Sequence, residues 1–540
     1  MSNKGVKIIL PSAVTDTNMR KLEHYYGIEF TRGASNGGGD NGYHAMIGDA
    51  TLLKEMRFHN QMKIVNVQNA SIAATLNQTN WNKNDDGSVS TLDGSDNGDI
   101  MQVHTHTVYA ILGGTNPTYE RFIISDQPFS YDGDQAKAYD AYGECPDYAT
   151  MLNSALRSIR NEGVNGSQAA GICTNHSDSQ YGAANGAGYP RTNLSRFAFE
   201  QYSRAKNEEV NSNLPYTIIC HQDIELTQAF MFIEFRTKQL NSILGHGISA
   251  VAVPTEQTWG KVTGIRMTSD GGATYTYGGF NKALFINGAT TSQNMWTAFN
   301  GSCPLLKMFE AQLAISNGDT LEALNDADGN PVQTLADGVM TGIWTKRFSF
   351  QVTAALTAGG EQKVWTVEAV LRVPVWRGRT RLWGHLSQWY AGYELLNFYD
   401  GTNTIHKVFR APSVEALISD TDVATKTEEG MFLFEQKYEY IGDLAKIGTV
   451  DSGAWGTDVL DVDGVATPLV SAGGGSLVTH ESAYFYARAQ TQVGVYSRRG
   501  APFGGNSNGG AAALRFAAVN RGPSSANSDL GSGFRVQLNG

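Results

Sequence analysis

The sequence predicts a β-rich α+β fold, and three observations predict it. First, strand-like alternation of apolar and polar residues recurs over 62–76, 100–112, 365–375 and 432–441. Between such runs, Asp85-Asp86-Gly87, Asp93-Gly94, Asp270-Gly271, Asp328-Gly329, Gly359-Gly360 and Asp463-Gly464 read as turns. Second, helical periodicity is strong in only two places. Residues 195–210 put Phe197, Phe199, Tyr202 and Ala205 near one face. Residues 222–240 carry Ile224, Leu226, Phe230, Phe232, Ile233 and Phe235, apolar on most faces, which marks a buried helix. Third, charged residues are only 17%, Gly is 60 of 540, and aromatics reach 10%, so real cores are joined by long turns.

Taken in order, residues 6–10 read as a short strand and 16–26 as a helix, with Thr15 or Asp16 as its cap. A Gly-rich loop follows over 33–42, then a second short helix over 51–58. Cys145-Pro146-Asp147 places an acid beside a thiol, but no nearby His supplies a base, and Pro146 marks a turn. From about 260 to 373 the text is β-like. Residues 377–393 hold Trp383, Trp389, Tyr390 and Tyr393. Residues 496–540 interleave Gly, Ser and Asn with Arg498, Arg499, Arg515 and Arg521. That stretch also holds Phe503, Leu514, Phe516, Val519 and Phe534. A disordered tail would lack those apolar anchors, so this end is an ordered domain with polar surface loops.

Composition excludes several classes. Net charge is −11 with no basic tract, which argues against nucleic acid as a partner. Cys145, Cys173, Cys220 and Cys303 share no metal spacing, and none lies in the C-terminal region, so a disulfide scaffold is not expected. The apolar run in MSNKGVKIILPSAV is too short for a signal peptide. No run approaches the roughly eighteen apolar residues of a membrane span, so membrane insertion is not expected. A polar, Gly-rich, Tyr-rich surface without a secretion signal fits a virus particle assembled in the host cytoplasm and released by lysis.

The motifs carry a family resemblance. Tyr26-Gly27-Ile28-Glu29-Phe30, Gly98-Asp99-Ile100-Met101-Gln102-Val103, Ala141-Tyr142 and Leu156-Arg157-Ser158 come first. Gly188-Tyr189-Pro190, Tyr202-Ser203-Arg204 and Phe232-Ile233-Glu234-Phe235-Arg236-Thr237 with Asn241-Ser242 follow. Then come Val373-Pro374-Val375-Trp376-Arg377-Gly378, Leu382-Trp383-Gly384-His385 and Trp389. The chain closes on Gly473-Gly474-Gly475, Arg499-Gly500, Phe503-Gly504-Gly505 and Gly533-Phe534-Arg535. In this order they resemble the fibre and receptor-binding proteins of Bacteroides phages, including crAss-like phages. Their C-terminal part has the C-type-lectin fold, shared with the variable proteins of diversity-generating retroelements.

The resemblance, with a stretch over 264–368 where the chain departs from the family's pattern, divides the chain into four expected regions. Residues 1–100 would attach to capsid or tail proteins and oligomerise. Residues 101–263 would begin the lectin-like domain, 264–368 would be a β-rich insertion, and 369–540 would complete the domain with exposed loops. It further implies a homo-oligomer, most often a trimer in fibres, adhering to a host surface glycan or protein. The ligand-facing residues expected by position are Tyr484, Tyr486, Tyr496, Asn506, Asn508, Arg515, Asn520, Arg521, Ser524, Ser525, Asn527 and Ser528. Small polar residues with Tyr and Arg make adaptable contacts at low ordering cost. The competing reading is solvated loops, or contacts between subunits. Arg535 is expected to order the core.

No catalytic residue and no cofactor is expected. His104 and His106 alternate on a predicted strand, so three copies around an axis could bind a metal. Two half-exposed strand histidines are the preferred reading. His246, His385 and His480-Glu481 have no supporting nucleophile or metal spacing. Asp326-Ala327-Asp328-Gly329-Asn330 begins like a calcium loop but has Pro331 where that loop needs Gly and Asp337 where it needs Glu. The triplets of calcium-dependent sugar lectins are absent. No Cys follows Cys303, which removes the oxidising chemistry known on this fold class. Adhesion is the first reading; a structural virion spacer and a surface-glycan depolymerase are the rivals.

Overall fold

The structure, a computed structural model, describes residues 24–32, 42–48, 62–68, 70–77, 83–89, 99–104, 106–144, 194–209, 216–238, 240, 262–269, 274–277, 321–323, 342–354, 363–377, 379–380, 387–419, 422, 425–428, 430–444, 446, 452–462, 465–472, 483–500, 502–503, 515–517, 523–525 and 530–538. The fold is β-rich α+β: open, mostly antiparallel sheets dominate and helices are few. Strands 6–10 and helix 51–58 of the expected list lie outside the described residues, as do Cys145-Pro146-Asp147, His246, His385, His480 and the 326–337 loop.

The first sheet has five strands in the order Lys137–Tyr139, Val108–Gly113, Tyr119–Ser125, Tyr25–Thr31, Tyr43–Ile47. Every residue from Tyr25 to Thr31 pairs with one in Tyr119–Ser125. The expected helix over 16–26 therefore does not extend through Tyr25 and Tyr26, because long-range pairing and burial override a local helical pattern; residues 16–23 lie outside the described set. Gly27 is required here, since a Cβ would run into the Phe122 carbonyl and Ile123 of the neighbouring strand.

The second sheet has six strands, ordered Tyr216–Ile218, Phe534–Gln537, Tyr142–Glu144, Asp99–His104, Lys63–Gln68, Ser71–Thr75. The alternating run 62–76 is a hairpin that turns through Ala70, whose φ is 60°. The single strand expected over 100–112 is two strands, Asp99–His104 and Val108–Gly113, which join different sheets. Period-two alternation continues through the crossing and cannot report it. Ladders of this sheet cross residue 100, and the last strand, Phe534–Gln537, pairs on both sides with strands from the first half of the chain.

Val262–Ser269, Thr274–Tyr277, Leu321–Ala323, Gly342–Ala354 and Lys363–Trp376 form a sheet of their own, with Arg379–Thr380 paired to the last of them. Its long hairpin closes at Ala354 and Lys363, around the expected Gly359-Gly360 turn. A further seven-stranded sheet contains the Ser452–Val462 and Val465–Ala472 hairpin, which closes across Asp463-Gly464. The remaining main sheet has four strands: Glu439–Asp443, Thr404–Arg410, Tyr393–Tyr399, Tyr496–Arg499. The strand expected over 432–441 is replaced by a short helix, Leu433–Lys437, and then the strand Glu439–Asp443. Glu435 accepts from the Phe432 N–H at 2.8 Å, which caps this turn of helix.

Two longer helices match the expected periodicity: α1 (Arg196–Glu209) and α2 (His221–Phe235). Of the 15 residues of α2, 13 are buried, as its all-round apolar character requires. It stops at Arg236, which takes a left-handed φ of 55°, rather than running to residue 240. Phe232 packs edge-on to Phe30 and Phe122 of the first sheet, and Phe230 stacks on His104 of the second. His221 stacks on Tyr393 of the four-stranded sheet. This helix is the axis of the core. Its buried carboxylates are matched: Asp223 accepts from Arg535 Nε at 3.0 Å, and Glu225 lies 3.4 Å from Arg410. The expectation that Arg535 orders the core holds in this geometry, since it is buried and joins the last strand to α2. Among the described residues, no helix is long and apolar enough to cross a membrane.

Candidate functional site: an exposed aromatic row

The four-stranded sheet has two unlike faces, and alternation along each strand makes them so. On Tyr393–Tyr399, the side chains of Tyr393, Leu395 and Asn397 turn toward α2 and the core. Glu394, Leu396 and Phe398 turn the other way. Register extends that second face across the sheet. Phe398 pairs with Tyr496 on one side and Ile405 on the other; Leu396 pairs with Arg498 and Lys407; Lys407 pairs with Asp443.

The result is a row of rings and cations across all four strands. The Tyr496 and Phe398 rings lie 5.4 Å apart. Lys407 Nζ sits 5.9 Å from the Phe398 centroid and 5.7 Å from that of Tyr440, within cation–π range of both. Tyr440 in turn lies 5.6 Å from Phe409, which anchors the row to a buried aromatic cluster with Phe432 and Phe434. Tyr440 and Tyr496 are 53% and 51% exposed, so the two ends of the row face solvent. Three strand intervals separate their strands, a span of ~14 Å.

Polar groups line the same face. Tyr440 Oη donates to Asp443 Oδ1 at 2.7 Å; partial burial and this bond push its phenol up to about 12, so the proton stays in place at neutral pH. Arg498 Nε donates to Glu394 Oε2 at 2.9 Å. Glu394 is buried and also pairs with buried Arg196 of α1. One carboxylate thus fixes two arginines and locks α1 to this sheet. Exposed rings beside fixed cations and a carboxylate suit a ligand with flat apolar patches and hydroxyl groups, because each ring offers a stacking face and each charge a hydrogen bond.

The expected ligand-facing residues distribute unevenly. Tyr496 stands in the row. Tyr484 and Tyr486 lie in strand Ala483–Ala487, which pairs in parallel with Arg515–Ala517, the strand of Arg515. Ser524 is exposed and Ser525 half-buried in the turn after Pro523, whose carbonyl accepts from the Arg196 N–H at the start of α1. Asn506, Asn508, Asn520, Arg521, Asn527 and Ser528 lie outside the described residues. Sequence reasoning missed Phe398, Lys407 and Tyr440. Their alternation was readable, but which of these side chains stay at the surface depends on what packs over each face.

The histidine pair takes a different position from the one expected. His104 is not half-exposed: it is 1% exposed, between the Tyr142 and Phe230 rings, because α2 covers that face of its sheet. Buried there, it cannot meet copies of itself at a surface axis. His106 lies beyond the end of the strand and is half-buried. Among the described residues, no group of three or more His, Cys, Asp or Glu is placed to hold a metal ion. Comparison with known proteins gives no matching family model, no matching curated protein and no matching solved structure.

Proposed function

We propose that this chain is a bacteriophage virion fibre protein, on head or tail, that attaches the particle to its host by adhesion. In this reading the aromatic row is a contact surface for a host surface glycan. The observation that carries it is the pair of half-exposed tyrosines, Tyr440 and Tyr496, held at opposite edges of one sheet with Phe398 and Lys407 between them. Rings fixed on strands bind without the ordering cost of a mobile loop. The C-terminal portion is read as C-type-lectin-like. Its support is the motif order in the sequence, together with a last strand that closes the central sheet beneath a long buried helix. The N-terminal region would dock on other virion proteins, and a cyclic homo-oligomer, most often a trimer, would multiply weak single contacts into firm attachment.

The test uses the full chain. Purified protein should bind host cells and extracted surface polysaccharide. The Tyr440→Ala/Tyr496→Ala double variant should bind about ten-fold less tightly at unchanged thermal midpoint, since each ring contributes about 0.5–1.5 kcal/mol. Binding by the double variant equal to wild type sinks the row as contact surface, and failure of the wild type to bind sinks adhesion. New reducing ends in the polysaccharide would instead indicate a depolymerase. One observation favours a structural role: Val493 and Val495, beside Tyr496, are 71% and 41% exposed, an apolar run suited to a subunit contact. Protection of Tyr496 from chemical labelling in assembled particles would select that reading.

A further inference from the structure

Helix α1 borders a groove that shares no lining residue with the aromatic row. Glu200, Ser203 and Arg204 stand on one face of the helix, spaced i, i+3 and i+4. The groove opens between that face, the strand Tyr216–Ile218 and residues 417–419, and its volume is about 170 Å³. A dry cavity of about 150 Å³ holds one benzene ring, so the groove has room for one compact apolar group. Part of its wall is apolar to match. Ile218 and Ala391 are buried there, and half-buried Leu417 packs against the cluster they form with Phe199 and Trp389. Half-buried Ile418 extends the same wall.

The polar part of the wall is mostly committed. Ser203 Oγ donates to the Phe199 carbonyl at 3.1 Å, and Ser419 Oγ donates to Asp422 Oδ2 at 2.8 Å. Thr217 Oγ1 lies 3.4 Å from Cys220 Sγ. Glu200 Oε1 lies 3.8 Å from Arg196 Nε, and Arg196 and Arg498 share Glu394. Those two arginines and two glutamates balance one another. Exposed Asp422 is held by Ser419 and does not line the groove. The charge left over is Arg204. It is exposed, and among the described residues it has no ion pair and no hydrogen bond. The Phe197 ring, 5.8 Å from its guanidinium, steadies the side chain but offers its N–H donors no oxygen.

An exposed arginine alone selects nothing. Beside an apolar wall it selects a molecule that has both an anionic end and an apolar body. We propose that this groove binds a small monocarboxylate with a compact aromatic or branched-aliphatic body. The wall of Ile218, Ala391, Leu417 and Ile418 covers the body, and the Arg204 guanidinium takes the carboxylate through two of its N–H donors. A neutral isostere keeps the apolar contact and loses the charge. Phosphate keeps the charge and has no body to bury. A dicarboxylate brings a second charge that faces Glu200. The inference does not depend on the adhesion reading, because it rests on Arg204 and the groove alone.

The experiment is a ligand-observed NMR titration of the full chain at neutral pH with benzoate, isovalerate, benzamide and inorganic phosphate separately. Benzoate or isovalerate should saturate with a dissociation constant on the order of millimolar, as one ring-sized contact and one charged contact allow. Arg204→Gln should weaken that carboxylate about five- to ten-fold, to the level of benzamide, and leave benzamide binding as it was. Arg204→Lys should keep part of the preference, because it keeps the charge and loses the fork. Both variants change an exposed side chain, so the thermal midpoint should not move. Lys83→Gln removes an exposed cation outside the groove and should change nothing. Four results overturn the proposal: no saturation by either carboxylate, equal binding of benzoate and benzamide, wild-type affinity in Arg204→Gln, or displacement of benzoate by an equal concentration of phosphate.

Discussion

His406 shows how much one buried side chain can set the response of the fold to acid. It is fully buried, its Nε2 lies 3.1 Å from the Arg488 carbonyl, and its Nδ1 has no partner among the described residues. Burial, with the Arg499 charge adding to it, holds its pKa down to about 4 from 6.5, although the bond to Arg488 opposes the shift. Between those values the unfolded chain binds the proton and the folded chain does not, so stability falls as pH drops through that window. The loss from pH 7 to pH 4.5 is about 2–3 kcal/mol. In His406→Gln that part of the acid sensitivity should vanish, and urea midpoints at the two pH values measure it. Parallel pH profiles for variant and wild type would refute the assignment. At Gly500 the constraint is steric: a Cβ there would come 2.7 Å from the buried Trp389 ring. Gly500→Ala should therefore lower the thermal midpoint although it adds only a methyl group.

The elements are joined by two different kinds of contact, and they predict different losses. Helix α2 is held by rings packed from two sides, and Phe232 contacts Phe30 and Phe122 together. Phe232→Ala should cost about 3–5 kcal/mol, read as a shift in urea midpoint, because the surrounding sheets are too closely paired to collapse into the gap. Helix α1 packs Phe199 into a buried cluster with Ile218 and Trp389 and adds a charge contact. Glu394 receives Arg196 from α1 and Arg498 from the strand Tyr496–Arg499. Glu394→Gln leaves two arginines facing a neutral amide, one of them fully buried, and should cost about 3–5 kcal/mol. A loss near zero in that variant would show that water replaces the carboxylate. Both elements were legible early. The spacing of Phe197 and Phe199 and the unbroken apolar character of 222–240 announced two helices, one half-buried and one wholly buried. The helix Leu433–Lys437 was not legible, because Phe432 and Phe434 alternate as a strand does, and only the Glu435 cap on Phe432 reveals the helical turn.

At the scale of the whole molecule, the last strand is tied into the first half of the chain. Phe534–Gln537 lies between Tyr142–Glu144 and Tyr216–Ile218, and Arg535 fastens it to α2. A chain ending at Gly533 should lose cooperative unfolding in circular dichroism and expose its core to dye, whereas Gln537→Ala should not. A truncated chain that unfolds as the wild type does would contradict this. Local patterning alone determined the β-rich class, the two long helices and the hairpins at Asp463-Gly464 and Gly359-Gly360, because turn chemistry and side-chain periodicity act between neighbours in sequence. Tyr496 was legible as a surface residue for the same reason. Only the tertiary structure decided the partners. It split 100–112 between two sheets, put Tyr25 and Tyr26 on a strand, buried His104, and left Tyr440 and Tyr496 exposed on a sheet face whose Leu396 and Phe409 are buried, with Lys407 and Phe398 between them. Each of these turns on what packs over each face and which distant strands pair, and a period-two pattern is the same whichever face the core takes.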